Sequence, residues 1–191
     1  MKNSSPLIIL FVFSFWFWSA SCSSTDRTTA SQQNDFALAT SNYTVLAEKA
    51  ISYQADFNVE AWGDLLADDI EYIFPNGTKW VGKKAVTEGW KKWQQLAGIQ
   101  SATFSDFTHV PVQSSKTLPL SGLPGVYVLS FFTGNFRLIN GNTASIKVNI
   151  CCHFNKKNLI DRYSAYYDPA PLHKAMKRGL PLLSAVQSMN R

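Results

Sequence analysis

Cysteine is almost missing from this chain, with 3 in 191 residues. No CxxC pair and no Cys/His grouping at zinc-ligand spacing occurs, so neither a structural metal nor a cofactor is expected. A basic stripe interleaved with aromatic side chains is lacking as well. The net charge is +5 and the pI about 9.1, but the excess is scattered over Lys83-Lys84, Lys91-Lys92, Lys156-Lys157, Lys174, Lys177 and Arg178. Doublets of this kind read as solvated faces of helices and turns, and nucleic acid is not an expected partner. No internal repeat is evident. Only one long apolar run exists, the twelve residues Leu7 to Trp18. As a helix it would rise about 18 Å against a hydrocarbon core of about 30 Å, too short for a permanent span.

What is present begins with that run. Lys2 ahead of it and Ser19-Ala20-Ser21 behind it give residues 1–22 the layout of a secretion signal. Small residues followed at once by Cys22 and by Ser23-Ser24-Thr25 resemble the lipobox of bacterial lipoproteins, where the cysteine is acylated and becomes the mature N-terminus. Ser19 stands where that motif usually carries Leu, and cleavage after Ser21 without acylation is the alternative. The expected location is a cell-envelope membrane, with a lipid on Cys22 as the only membrane contact, or a secreted or periplasmic state without it. At about 0.8 kcal/mol per buried CH2, several acyl chains would hold the protein at a membrane surface. Residues 23–37 open with SSTDRTTASQQND, the composition of a flexible polar tether, and residues 38–191 form one expected domain.

Within that domain Tyr43, Leu46, Ala47, Ala50, Gln54 and Phe57 recur at helical spacing, with Gln54 the only polar member of the stripe. Asn58 is a candidate cap for a second helix over 59–66 that turns Trp62, Leu65 and Leu66 inward. Ile70 to Phe74 reads as a strand, Pro75-Asn76-Gly77 as a turn, and Thr78 to Val81 as its hairpin partner. Gly82 opens a third helix with Val86, Gly89, Trp90, Trp93, Leu96 and Ala97 on one side. Residues 99–112, 125–139, 143–154 and 158–168 are rich in Val, Ile, Phe, Tyr and Thr, which predicts a meander of antiparallel strands. Asp168-Pro169 is a helix start. Helices first and sheet second is an α+β arrangement, with the curved antiparallel sheet wrapped around the N-terminal helices. The strand over 125–139 is apolar on both faces, so a homodimer packing sheet against sheet is the expected partner for the outer one.

Three signatures carry a resemblance: Trp62-Gly63-Asp64-Leu65-Leu66-Ala67-Asp68-Asp69 with Tyr72 to Gly77, Trp80-Val81-Gly82-Lys83-Lys84-Ala85, and Arg162 to Tyr167 with Asp168-Pro169-Ala170. With this layout they resemble the nuclear transport factor 2-like superfamily, and within it the SnoaL-like branch of cone-shaped α+β domains. The resemblance implies a pocket between the helices and the concave sheet. It also implies an enzyme in some relatives, and here the expected machinery is missing. Isomerases resembling this chain carry a general-base Asp just before the Pro, where this sequence has Phe74. Their second acid lies on the strand matching 143–154, which holds no carboxylate. An Asp/Arg/Asp relay of the epoxide-hydrolase kind finds no placement among Arg137, Arg162 and Asp161.

The candidate ligand-binding residues are therefore aromatic: Trp62, Tyr72, Phe74, Trp80 and Trp90, with His109 as a polar group, around a small apolar molecule. Tyr72 shares a strand face with Ile70 and Phe74 and is expected to point inward. His109 and His153 are the general-base candidates because histidine titrates near neutral pH, but the alternation over 143–154 turns His153 away from the pocket with Lys147, Asn149 and Cys151. Asp68 and Asp69 read as turn aspartates. The rival readings are a dehydratase, isomerase or cyclase using Tyr72 and His109, and an assembly module that needs only the dimerising sheet.

Overall fold

The computed structural model describes residues 35–117 and 122–176, all within the unit Asn34–Arg191. The expected signal over 1–22, Cys22 and the tether as far as Asn34 lie outside the described residues. The elements are β1 (Phe36–Leu38), α1 (Asn42–Ala55), α2 (Val59–Gly63), β2 (Leu66–Ile73), β3 (Lys79–Val81), α3 (Lys83–Ala97), β4 (Ile99–Ser114), β5 (Gly125–Leu138), β6 (Thr143–Phe154), β7 (Ile160–Tyr167) and α4 (Ala170–Met176). The seven strands make one curved, unclosed sheet in the order β1-β4-β5-β6-β7-β2-β3.

Strands β4 to β7 pair antiparallel with their chain neighbours, the expected meander. The sheet as a whole is mixed, because β2 lies beside β7 in parallel, with Tyr72 opposite Tyr163. A hairpin cannot join parallel neighbours, and here the whole run from β3 to β6 serves as the crossover. The last residues assigned to the tether, Phe36 and Ala37, instead belong to β1, paired with Ser114 and Gln113 of β4. The second helix stops at Gly63, three residues early, and Leu66 already belongs to β2.

Local chemistry explains most boundaries. Asn58 Oδ1 accepts from the Ala61 amide at 3.1 Å and caps α2. In the 75–77 turn, Asn76 Oδ1 accepts from the Thr78 amide at 3.1 Å and its hydroxyl at 2.8 Å, and Gly77 takes φ +82°. Asp168 Oδ1 accepts from the Ala170 amide at 2.9 Å at the start of α4. Asp68 and Asp69 sit within β2 rather than in a turn, at a register shift between Leu66 and Glu71, and Asp68 faces Lys83 at 3.3 Å. A bulge in β4 between Ser105 and Thr108, with Asp106 at φ 59°, resets the alternation. Phe104 and Phe107 thus both reach Phe132, with ring centroids 5.0 and 5.4 Å away.

The core lies between the helices and the inner face of the sheet. Trp62 is fully buried, with its ring edge on Tyr72, Trp90 and Tyr163 at 6.2, 5.8 and 5.9 Å. Helix α3 lies on β3 through Gly89, where a Cβ would stand 2.9 Å from the Trp80 ring. Only glycine lets helix and indole approach so closely. Leu96, expected on the buried side of α3, is exposed.

Candidate functional site

The cavity between α1, α3, α4 and the inner sheet face is lined by residues from five strands and three helices, among them Gln54, Tyr72, Trp90, Phe132, Ile150 and Leu172. The cavity is small, with a volume of about 40 Å3, and it opens to solvent at one end. Trp90 stacks on Trp93 at 4.7 Å, and Trp93 meets the Phe136 edge at 6.5 Å, so α3 and β5 form a continuous aromatic wall. Leu172 of α4 and Ala165 and Tyr167 of β7 complete it.

The polar content of the wall is small and specific. Tyr72 stacks on Tyr163 at 5.0 Å, as their paired positions on parallel strands dictate. The Tyr163 hydroxyl donates to Gln54 Oε1, which leaves the amide nitrogen for another partner. Burial drives the Tyr72 phenol far above its usual range, against a smaller opposing effect of the Gln54 amide, and burial pushes Tyr167 up to about 12. Both phenols are therefore neutral donors at physiological pH. Gln54 Nε2 and Trp90 Nε1 are buried with no hydrogen-bond partner among the described residues. No carboxylate, histidine, lysine or cysteine lines the cavity among the described residues.

Of the six pocket residues read from sequence, Tyr72 and Trp90 line the cavity. Trp62, Phe74 and Trp80 are buried in the aromatic core beside it, packed on Tyr72, and are not part of its lining. Three large rings on neighbouring elements fill the space between helix and sheet before any of it can open. His109 is also not a lining residue. Its Nδ1 lies 2.8 Å from Ser130 Oγ, its ring stacks on Phe107 at 5.5 Å, and burial pulls its pKa down while Glu48 acts in the opposite sense. Tyr72 and His109 are kept apart by topology: β4 is four places from β2 in the strand order, about 19 Å along the sheet. Gln54 was absent from the expected site, although its place as the lone polar residue of an apolar stripe was the signal.

The outer face carries polar and charged side chains. His153 faces outward as the alternation requires, 2.5 Å from Asp161 Oδ1 through Nδ1 and 3.2 Å from the Pro124 carbonyl through Nε2. Further along, Thr133 donates to Asp106 at 2.7 Å and Lys147 donates to Thr133 at 2.6 Å. The hydroxyls of Thr133 and Ser105 hold the Asp106 carboxyl below its usual range, with Lys147 adding to them. Cys151 and Cys152 are buried, unbridged thiols.

No protein-family model matches the sequence, and no curated protein matches it. Solved structures do. A candidate polyketide cyclase from Silicibacter is similar at a TM-score of 0.56 and 11% identity, over 73% of this chain and 98% of its own. An NTF2-like protein of unknown function from Burkholderia pseudomallei is similar at 0.55 and 14%, over 73% and 100%. A candidate isomerase from Bacillus subtilis is similar at 0.54 and 17%, over 70% and 91%. At such identities the likeness speaks to architecture, since one scaffold carries many chemistries. Helices gathered against one face of a curved, open sheet, matched over nearly the full length of these structures, give this chain the nuclear transport factor 2-like fold.

Proposed function

We propose that this protein binds a small, largely apolar molecule in the cavity bounded by Gln54, Tyr72, Trp90 and Leu172, without transforming it. The observation that supports this is the wall itself: aromatic and aliphatic, with neutral phenol, amide and indole groups as its only polar members among the described residues. Such a lining gains from excluding water around an apolar body and orients it through few polar atoms. Acid–base catalysis needs a group that gains and loses a proton near neutral pH within reach of the substrate. The dehydratase, isomerase or cyclase reading lacks that support, because no histidine or carboxylate lines the cavity among the described residues, and His109 lies on β4 off the wall.

Two further parts of the reading rest on other features. The protein is exported and held at an envelope membrane through Cys22, on the strength of residues 1–22; Cys22→Ser then moves it from the detergent phase to the aqueous phase on Triton X-114 partition. It pairs with a second copy through the outer sheet face, where Phe131 and Tyr166 are exposed; Phe131→Glu then yields a monomer by sedimentation.

Native mass spectrometry of the purified protein tests the binding proposal. A retained neutral molecule, released on gentle activation and lost in Ile150→Trp, which fills the cavity, is the expected result. Ligand-free protein that also retains no added neutral aromatic compound at millimolar concentration contradicts it.

A further inference from the structure

We infer that α4 is the movable wall of the cavity: a ligand is held only with α4 displaced, and the side chains of Asn140 and Asn142 latch that wall shut. This rests on the binding proposal. A cavity of about 40 Å3 has room for water, whereas a benzene-sized molecule needs on the order of 150 Å3. The cavity is therefore closed to such a molecule, and occupancy requires one wall to give way.

The walls differ in how firmly they are tied. Each of the five lining strands has a hydrogen-bonded neighbour on both sides in the sheet. Helices α1 and α3 run for 14 and 15 residues, and each buries four or five of them. Helix α4 has 7 residues and buries Leu172 and Ala175, of which Leu172 lines the cavity. A helix that short is not stable away from its packing, so detachment and unwinding go together. The turn between β5 and β6 holds its far end, where Asn140 Nδ2 and Asn142 Nδ2 donate to the Ala175 carbonyl at 3.2 and 2.7 Å. Carbonyls in the last turn of a helix have no partner within it, so the two amides supply what α4 cannot. At the near end Asp168 and Pro169 join α4 to β7 and form the hinge. Breaking the two amide bonds frees the end of α4 and carries Leu172 off the cavity.

Hydrogen exchange read by mass spectrometry and acetophenone affinity from ligand-observed NMR test this on the purified protein. In the wild type the 170–176 amides should exchange by local opening, well ahead of β5 and β6. Asn142→Ala removes one latch donor, while the carbonyl of residue 142 keeps its bond from the Leu138 amide at 2.9 Å. It should speed exchange at 170–176 about fivefold and tighten acetophenone by about the same factor, the worth of one neutral hydrogen bond, because the open state is the one that binds. Damage to packing alone would weaken binding, so tightening identifies a latch. Asn142→Asp, which sets a carboxylate against the Ala175 carbonyl, should exceed Asn142→Ala in both readouts. Where a variant does not fold, the wild type decides: exchange at 170–176 as slow as in β6 overturns the movable wall. Unchanged exchange at 170–176 in folded Asn142→Ala, or acetophenone bound no more tightly than by the wild type, also overturns it and leaves cavity binding intact. Saturable binding by neither protein overturns both.

Discussion

Strand β6 carries opposite chemistries on its two faces. Ile146, Val148, Ile150, Cys152 and Phe154 turn inward and pack toward the cavity or its surrounding core, whereas Lys147, Asn149, Cys151 and His153 turn outward. The same division runs across β5, where Val128, Phe132 and Phe136 oppose Phe131, Thr133 and Arg137. The inner face therefore offers area and a few neutral donors around the cavity, with His109 on the same face but off the wall, beside Ser130 and Phe107. The outer face offers ion pairs and polar side chains. Along β5 and β6, strand alternation keeps the charged side chains a sheet thickness from the apolar wall. This separation is the physical ground for reading the cavity as a binding chamber.

The contrast can be broken hardest from within. Trp62→Ala removes a fully buried ring that touches Tyr72, Trp90 and Tyr163, and should cost about 3 to 5 kcal/mol in urea unfolding followed by circular dichroism. Gly89→Ala overpacks the contact between α3 and Trp80 and should cost about 1 to 3 kcal/mol, a loss that Trp80→Leu partly relieves. A smaller effect follows from pH. Burial raises Cys151 to about 11 and Tyr167 to about 12, so above pH 9 to 10 the unfolded chain loses protons that the folded chain keeps. Stability from these groups is complete below that range and falls as pH rises toward 11 and 12, by at most about 1.4 kcal/mol per pH unit for each group. Cys151→Ala should flatten the lower part of that fall and Tyr167→Phe the upper part, read as the urea midpoint against pH. On the outer face Phe131→Ala, at a position 46% exposed, should change monomer stability by less than about 0.5 kcal/mol. A loss as large as that of Trp62→Ala would erase the distinction between the faces.

How much of this was legible in the sequence depends on the range of the interaction. Period-two runs over 99–168 placed β4 to β7 nearly to the residue, and Asn58, Asn76 and Asp168 announced their caps and turns, because those signals are local. Inward placement of Tyr72 and outward placement of His153 followed from alternation alone. The parallel pairing of β2 with β7 was not legible, since nothing in eight residues says which distant edge they will join. The β4 bulge at Asp106 was invisible for a similar reason: an extra residue in a long strand leaves the composition unchanged while resetting every side chain beyond it. The site itself was half legible. Aromatic residues were recognised as belonging inside, but whether an inward ring fills the core, as Trp62, Phe74 and Trp80 do, or bounds a void, as Tyr72 and Trp90 do, depends on the spacing of elements in three dimensions. Gln54 could have been found earlier, because a lone amide in an otherwise apolar helical stripe needs a buried partner.

The most direct test of the chamber is a backbone and methyl NMR titration with acetophenone. Saturable shifts at Gln54, Ile150, Ala165 and Leu172, with Leu129, Phe131 and Lys147 unmoved on the opposite face, are the predicted result. Shifts confined to the outer face, or none that saturate, would contradict it.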